Sequence, residues 1–376
     1  MKWSWKIGKL AGVELRIHAT FLLLLGWVGA SHWLRGQSLD SALAGVGFIL
    51  ALFACVLLHE LGHALAARKY GIGTRDITLL PIGGVARLER MPEKPGQELW
   101  VALAGPAVNV VIAVMLFGWL MLTRSLAPLE EMGVAAGPFV ERLWLANMWL
   151  VLFNLIPAFP MDGGRVLRAV LASRMEYVKA TQIAAGVSQA LAFVFGFIGL
   201  FANPMLLFIA LFVWIGASQE ASATQMKSAL SGTPIQAAML TDFRQLQPGE
   251  TLADAVRLVL GGSQQDFPVV ENRKPVGVLP RADLLVALAE HGENHPVAAA
   301  MRRDFLVTDY TEMLEVAFQR LQECECHTMP VVHEGRLVGL LTMDNLGEYF
   351  LIQAAMKKGG TRSGIASRLE RQGATG

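Results

Sequence analysis

Charged side chains are scarce in this sequence, at 17% of 376 residues, against about 25% in an ordinary soluble domain. The scarcity is uneven. Most of it falls before about residue 220, which excludes a wholly water-exposed fold and points to a membrane portion joined to a soluble one. Neither sign of charge dominates: the formal net charge is +1, so nothing supports a nucleic-acid partner. Cysteine is nearly missing. Cys55, Cys324 and Cys326 are too few and too scattered for a disulfide framework. The pair in Cys324-Glu325-Cys326 has the residue types of a metal or redox element, but reads more simply as chance placement in a cytosolic helix.

What the sequence does have is long apolar runs. A membrane-crossing helix needs roughly 20 mostly apolar residues, and six segments qualify, at about 18–35, 42–66, 99–123, 136–160, 183–202 and 204–221. Lys2, Lys6, Lys9 and Arg16 precede the first, and Gly29-Ala30-Ser31 follows its apolar stretch, a pattern shared with cleaved signal peptides. Because apolar sequence resumes at Trp33-Leu34 and five further runs follow, it reads as an uncleaved first span. Asn203-Pro204 marks a tight turn between the last two. Positive charge collects before the first span, in the second loop (Arg68, Lys69, Arg75, Arg87, Arg90, Lys94) and in the fourth (Arg165, Arg168, Arg174, Lys179). The positive-inside rule then predicts a cytoplasmic N-terminus, cytoplasmic basic loops and a cytoplasmic C-terminal region.

Beyond about residue 232 the sequence turns soluble in character and repeats itself at an offset of 62 residues, from Pro234 to Pro296. Asp242-Phe243 matches Asp304-Phe305, Phe267-Pro268-Val269-Val270 matches Met329-Pro330-Val331-Val332, and Val276-Gly277-Val278-Leu279 matches Val338-Gly339-Leu340-Leu341. Each copy predicts a helix (252–260; 314–323), two short strands (268–271 and 276–279; 330–333 and 337–341) and a second helix. That order, with its paired valine-rich strands, resembles a tandem pair of CBS domains over about 234–352.

The second apolar run carries His59-Glu60-Leu61-Gly62-His63. On a helix, positions i and i+4 share a face, so both imidazoles can bind one metal ion, and Glu60 stands beside them to take a proton from water. Ionisable groups at membrane depth cost about 2.5–3.5 kcal/mol each on insertion scales, so three of them in one apolar run imply function. An interhelical hydrogen-bond cluster without metal is the alternative. A third ligand is expected from another span, and Asp162 is the candidate, in Asn154-Leu155-Ile156-Pro157-Ala158-Phe159-Pro160-Met161-Asp162-Gly163-Gly164-Arg165. A helix end capped by Asp162 would account for that stretch equally well when it is taken alone.

HELGH in one span with NxxPxxxxDGG in a later one resembles the paired motif of site-2 proteases, which are intramembrane zinc metalloproteases. The similarity covers about residues 10–220, with Met161 where the family usually has Leu, and the appended CBS pair resembles a prokaryotic branch of that family. The expected fold is therefore a polytopic α-helical membrane protein of about six transmembrane helices, followed by a cytoplasmic α/β CBS module. The expected divisions are 1–223 for the protease, 234–290 and 296–352 for the two CBS domains, and 357–376 for a disordered tail. The resemblance implies one catalytic Zn2+ on His59, His63 and Asp162, with Glu60 as base and Asn154 as donor to the developing oxyanion, an ordinary interhelical amide bond being the alternative for Asn154. Asn109 is a weaker candidate for that donor, since Gly105 and Pro106 nearby can serve helix packing alone. His18 reads as an interfacial residue. The segment Thr78 to Leu88, around Gly83-Gly84, is expected to form an extended edge that pairs with unwound substrate, with an ordinary cytoplasmic hairpin as the alternative.

CBS pairs resemble adenine-nucleotide sensors with an S/T-x-x-D element. Here Pro280-Arg281-Ala282-Asp283 keeps the acid and Thr342-Met343-Asp344-Asn345 keeps the hydroxyl. Asp283 and Thr342 are thus the candidate contacts to ATP or another adenine nucleotide, and dimerisation through the CBS pair is the alternative role. The implied partner is a membrane protein with a transmembrane segment. A CBS-regulated transporter and a catalytically inactive scaffold are the competing functions.

Overall fold

The computed structural model describes residues 3–36, 38–123, 137–323, 328–353 and 355–356. Cys324-Glu325-Cys326 and the tail 357–376 lie outside the described residues. The chain divides into two compact units, 1–224 and 225–376.

The first unit opens with a β-hairpin that the hydropathy pattern does not reveal. Strands β1 (Ser4–Leu10) and β2 (Val13–His18) pair antiparallel, Leu10 opposite Val13. Ala11 and Gly12 between them both have positive φ, 51° and 90°, the backbone of a two-residue hairpin turn. β2 runs parallel to β3 (Thr74–Leu80), which turns back into β4 (Gly83–Leu88), giving the order β1-β2-β3-β4 with β4 at an edge. Asp76 is buried in β3 and bonded to Arg87 and Thr78. Burial pushes its carboxyl up, but those two donors outweigh it and hold Asp76 below the usual carboxylate range.

Among the described residues, seven helices lie or begin in this unit: α1 (Ala19–Gly36), α2 (Leu39–Arg68), α3 (Pro95–Thr123), α4 (Phe139–Asn154), α5 (Asp162–Ala172), α6 (Tyr177–Phe201) and α7 (Met205–Leu230). The Ser38 side chain accepts from Ser41 N and caps α2. Helices α2, α3, α6 and α7 are long and apolar enough to cross a membrane. The other two predicted spans are helical but shorter, with 18 residues in α1 and 16 in α4. At 1.5 Å per residue, α4 reaches about 24 Å, short of a hydrocarbon core of about 30 Å. It ends at Asn154 rather than near 160, because Pro157 has no N–H to continue the ladder and restricts the residue before it. Leu122, Phe193, Phe201 and Phe208 face outward and are well exposed, as a lipid-facing surface requires. The stretch expected to be a basic loop after residue 160 contains α5.

The second unit follows the predicted repeat closely. Its first half holds α8 (Leu252–Leu260), β5 (Phe267–Glu271), β6 (Lys274–Leu279) and α9 (Arg281–His291). Its second half holds α10 (Val297–Ala300), β7 (Thr308–Asp309), α11 (Leu314–Glu323), β8 (Thr328–His333) and β9 (Arg336–Thr342), then a helix over 343–353. Each half buries its own core, around Phe267 and Leu279 in one and Met329 and Leu341 in the other. Leu230, at the end of α7, falls within the second unit and belongs to its core around Met329.

Candidate metal centre

Helix α2 presents His59 and His63 one turn apart, both 5% exposed. Asp162 is the first residue of α5. It reaches the same point because Pro157 and Pro160 break the chain after α4 and Gly163 and Gly164 let the first turn of α5 nestle into that break. A Cβ on Gly163 would stand 2.2 Å from Ile156 O, and one on Gly164 would stand 2.5 Å from Phe159 N. Only glycine fits there.

The three side chains converge. His59 Nε2 and His63 Nε2 are 3.1 Å apart, and each is 3.1 Å from Asp162 Oδ2. The far nitrogens fix the protonation. His63 Nδ1 lies 2.7 Å from Val101 O, and a carbonyl can only accept, so the proton of the neutral ring sits on Nδ1 and Nε2 keeps its lone pair. His59 Nδ1 faces Asn109 Oδ1 at 3.0 Å, which assigns the same tautomer. Two nitrogen lone pairs and a carboxylate oxygen therefore point at one spot, an arrangement that calls for a cation.

The residues fit zinc. Ligands 2.0–2.1 Å from a tetrahedral ion lie about 3.3 Å from one another, close to the triangle observed, and among the described residues this is the one cluster of its kind. Space for an ion is kept by α3: a Cβ on Gly105 would stand 2.2 Å from His63 Nε2 and 2.7 Å from His59 Nε2. Glu60, the next residue along α2 from His59, accepts at its Oε2 from Ala86 N of β4 at 3.1 Å. That N–H faces away from β3.

The remaining predicted residues are placed as follows. Asn154 closes α4, partly buried, and makes no hydrogen bond to the triangle. Asn109, weighed less as an oxyanion donor, is fully buried and holds His59 instead. His18 Nδ1 contacts Thr20 Oγ1 at 2.8 Å, at the start of α1. In the second unit, Asp283 is held by Arg302 through two nitrogens, and Thr342 Oγ1 accepts from Asn345 N at 3.1 Å, so both candidate nucleotide contacts have protein partners. Of the two residues that orient the histidines, Val101 went unassigned because a carbonyl leaves no mark in sequence, and Asn109 was assigned a different role because one amide in an apolar run has many uses.

Comparison with known proteins places the chain among relatives. A family model described as peptidase family M50 matches residues 47–136 and 129–195, and one described as CBS domain matches 235–290 and 297–351. A zinc metalloprotease of Methanocaldococcus jannaschii is 31% identical over 347 residues, covering 92% of this chain and 96% of that protein. Stage IV sporulation protein FB of Bacillus subtilis is 28% identical over 172 residues, 45% of this chain and 56% of its own. Among solved structures, a site-2 protease from Methanocaldococcus jannaschii shares 38% identity with a TM-score of 0.43, covering 58% of this chain and 95% of that one.

Proposed function

The chain belongs to peptidase family M50, the site-2 protease group of zinc metalloproteases, and from that membership we propose that it hydrolyses peptide bonds in or beside a transmembrane segment of another membrane protein. The observation that carries the proposal is the triangle of His59, His63 and Asp162, at 3.1 Å on each side. Those three residues hold the metal. Zinc bound there supplies Lewis acidity at the scissile carbonyl and lowers the pKa of water toward ~7. Glu60 takes the proton of the attacking water and returns it to the leaving amine. Asn154 donates to the carbonyl oxygen as charge develops on it.

Substrate geometry follows from the backbone. A transmembrane helix has its amides bonded internally, so it must unwind before it can be cut. We propose that the unwound segment adds to the outer edge of β4. The Ala86 N–H on that edge lies against Glu60, which supports a scissile bond brought next to the base. The proposed orientation keeps the N-terminus and the CBS pair in the cytoplasm, supported by the loop charges. Thiol-labelling of single cysteines placed at Gly71 and Asn203 in intact cells checks it: labelling of Gly71 from outside contradicts the orientation.

Regulation by an adenine nucleotide is the second part of the proposal, with Asp283 and Thr342 as contacts. The bidentate Arg302–Asp283 pair means a ribose must displace a guanidinium, so weak binding is expected, strengthened in Arg302→Ala. Calorimetric titration of ATP, ADP and AMP into the full chain in detergent tests this, and no heat from either protein would end it. A second copy of the chain is the further partner proposed, through Leu285 and Val286 of α9, each 56% exposed; a monomeric mass in detergent contradicts it.

The deciding experiment for the peptidase is cleavage of candidate single-span proteins by wild type and Glu60→Gln, with zinc measured in both. Loss of cleavage by at least about 100-fold with zinc retained is expected for the loss of a general base. Equal cleavage removes Glu60 from the mechanism.

A further inference from the structure

The bulkiest fully buried side chain described lies outside the metal triangle: Arg168 of α5, 1% exposed. Its Nε donates to Glu98 Oε1 at 2.7 Å, Nη2 lies 2.5 Å from the same oxygen, and Nη1 donates to Glu220 Oε1 at 2.5 Å. The rings of Phe159 and Tyr177 flank the guanidinium, with centroids 5.1 and 5.0 Å from its central carbon. Glu98 is itself fully buried, in the first turn of α3. None of these groups has a part in the hydrolysis described above.

Stability alone is a poor reason for this arrangement. Burying an ion pair incurs a desolvation penalty of several kcal/mol per ion, and apolar residues of similar volume often do as well or better. What a forked guanidinium supplies is a fixed geometry between the elements it joins. Here the joined elements include two of the three that converge at the metal triangle, α3 and α5. α3 orients both histidines, through Val101 O three residues after Glu98 and through Asn109. α5 begins with Asp162, and its N-cap residue Met161 makes no side-chain capping bond. The start of α5 is therefore held by its packing and by the Arg168 clamp six residues along, about 9 Å at helical rise.

We propose that Arg168 is a positioning residue: gripped by Glu98 and Glu220, it locks α5 against α3 and so keeps Asp162 Oδ2 on the two histidine nitrogens. The proposal rests on the reading of His59, His63 and Asp162 as the zinc site. It extends that site by a charged strut at the same end of the helices, built from α3, α5 and α7. Ligand distances must hold to within about 0.2 Å for a stable site, so a small tilt of α5 is enough to loosen the carboxylate.

The test measures metal rather than turnover. Zinc affinity, by competition with a chromophoric chelator, and the visible bands of the Co2+-loaded protein are compared across variants, with thermal midpoints recorded alongside. Arg168→Met combined with Glu98→Leu removes both buried charges together, so neither is left unpaired to force unfolding. Zinc affinity is expected to fall about 10–100-fold, the range for residues that support ligands, with altered cobalt bands and a thermal midpoint near that of wild type. Arg168→Lys, which keeps the charge but not the fork, is expected to fall between. Wild-type affinity and bands in the folded double variant overturn the proposal. Should that variant not fold, Glu220→Gln decides, since Arg168 then keeps Glu98: unchanged zinc affinity there overturns it as well. Wild-type protein that binds no zinc at all would instead remove the metal site on which the proposal stands.

Discussion

At Gly105 the smallest possible side-chain change meets the metal triangle directly. A methyl group on this α3 backbone would enter the space between the paired imidazoles, closer than any real Cβ comes to a neighbouring atom. Helices α2 and α3 are also close at Gly62, where an added Cβ would be 2.8 Å from Ala104 O. Gly105→Ala is therefore expected to weaken zinc binding more than about 10-fold while the helices stay folded, read as zinc content against far-ultraviolet circular dichroism. Full zinc occupancy in that variant contradicts the geometry. At this scale the sequence was informative where chemistry is local. The pairing of His59 with His63 is helix arithmetic, readable from a spacing of four. Asp162 lies about a hundred residues further on, and no spacing rule connects it; the acid after Pro157 and Pro160 made it a candidate, and the resemblance gave it the ligand role. Arg168 could not be singled out, since sequence displays a charge but not its partner, and among Arg165, Arg168 and Arg174 nothing marks the buried one.

Among the elements, β4 does the most to connect fold with chemistry. Antiparallel pairing alternates groups that bond to the neighbouring strand with groups that face away. Val85 lies opposite Thr78, and Ala86 sends its N–H to Glu60. Proline is tolerated at the free edge of a sheet where the lost N–H faces outward, so Ala86→Pro removes the contact to Glu60 and leaves the ladder to β3 in place. Cleavage is expected to drop at least about 10-fold with zinc retained; a wild-type rate would show that neither Glu60 nor the substrate uses this edge. The strand pair around Gly83-Gly84 was legible from its β-branched and apolar residues. The β1–β2 hairpin was not, because Trp3, Trp5 and Ile7 alternate with polar residues over too short a stretch to compete with the apolar run that follows. α5 was hidden for a different reason. Its amphipathic face is completed by two glycines and a buried arginine, residue types that ordinarily signal a loop.

For the whole molecule, the division into an apolar unit and a repeated soluble one was visible in composition and in the offset of 62 residues, since repeats reveal themselves by comparison within the chain. The lengths of individual spans were less visible, because hydropathy runs on through prolines that the backbone does not cross as helix. What unites the chain is the convergence of α2, α3 and α5 on one point, and the intact protein offers the most direct measurement of it. X-ray absorption at the zinc edge of purified full-length protein is expected to show one zinc per chain, with two imidazole nitrogens and one carboxylate oxygen at about 2.0–2.2 Å, and the carboxylate shell missing in Asp162→Ala. Protein without zinc, or an unchanged spectrum in that variant, would contradict the account.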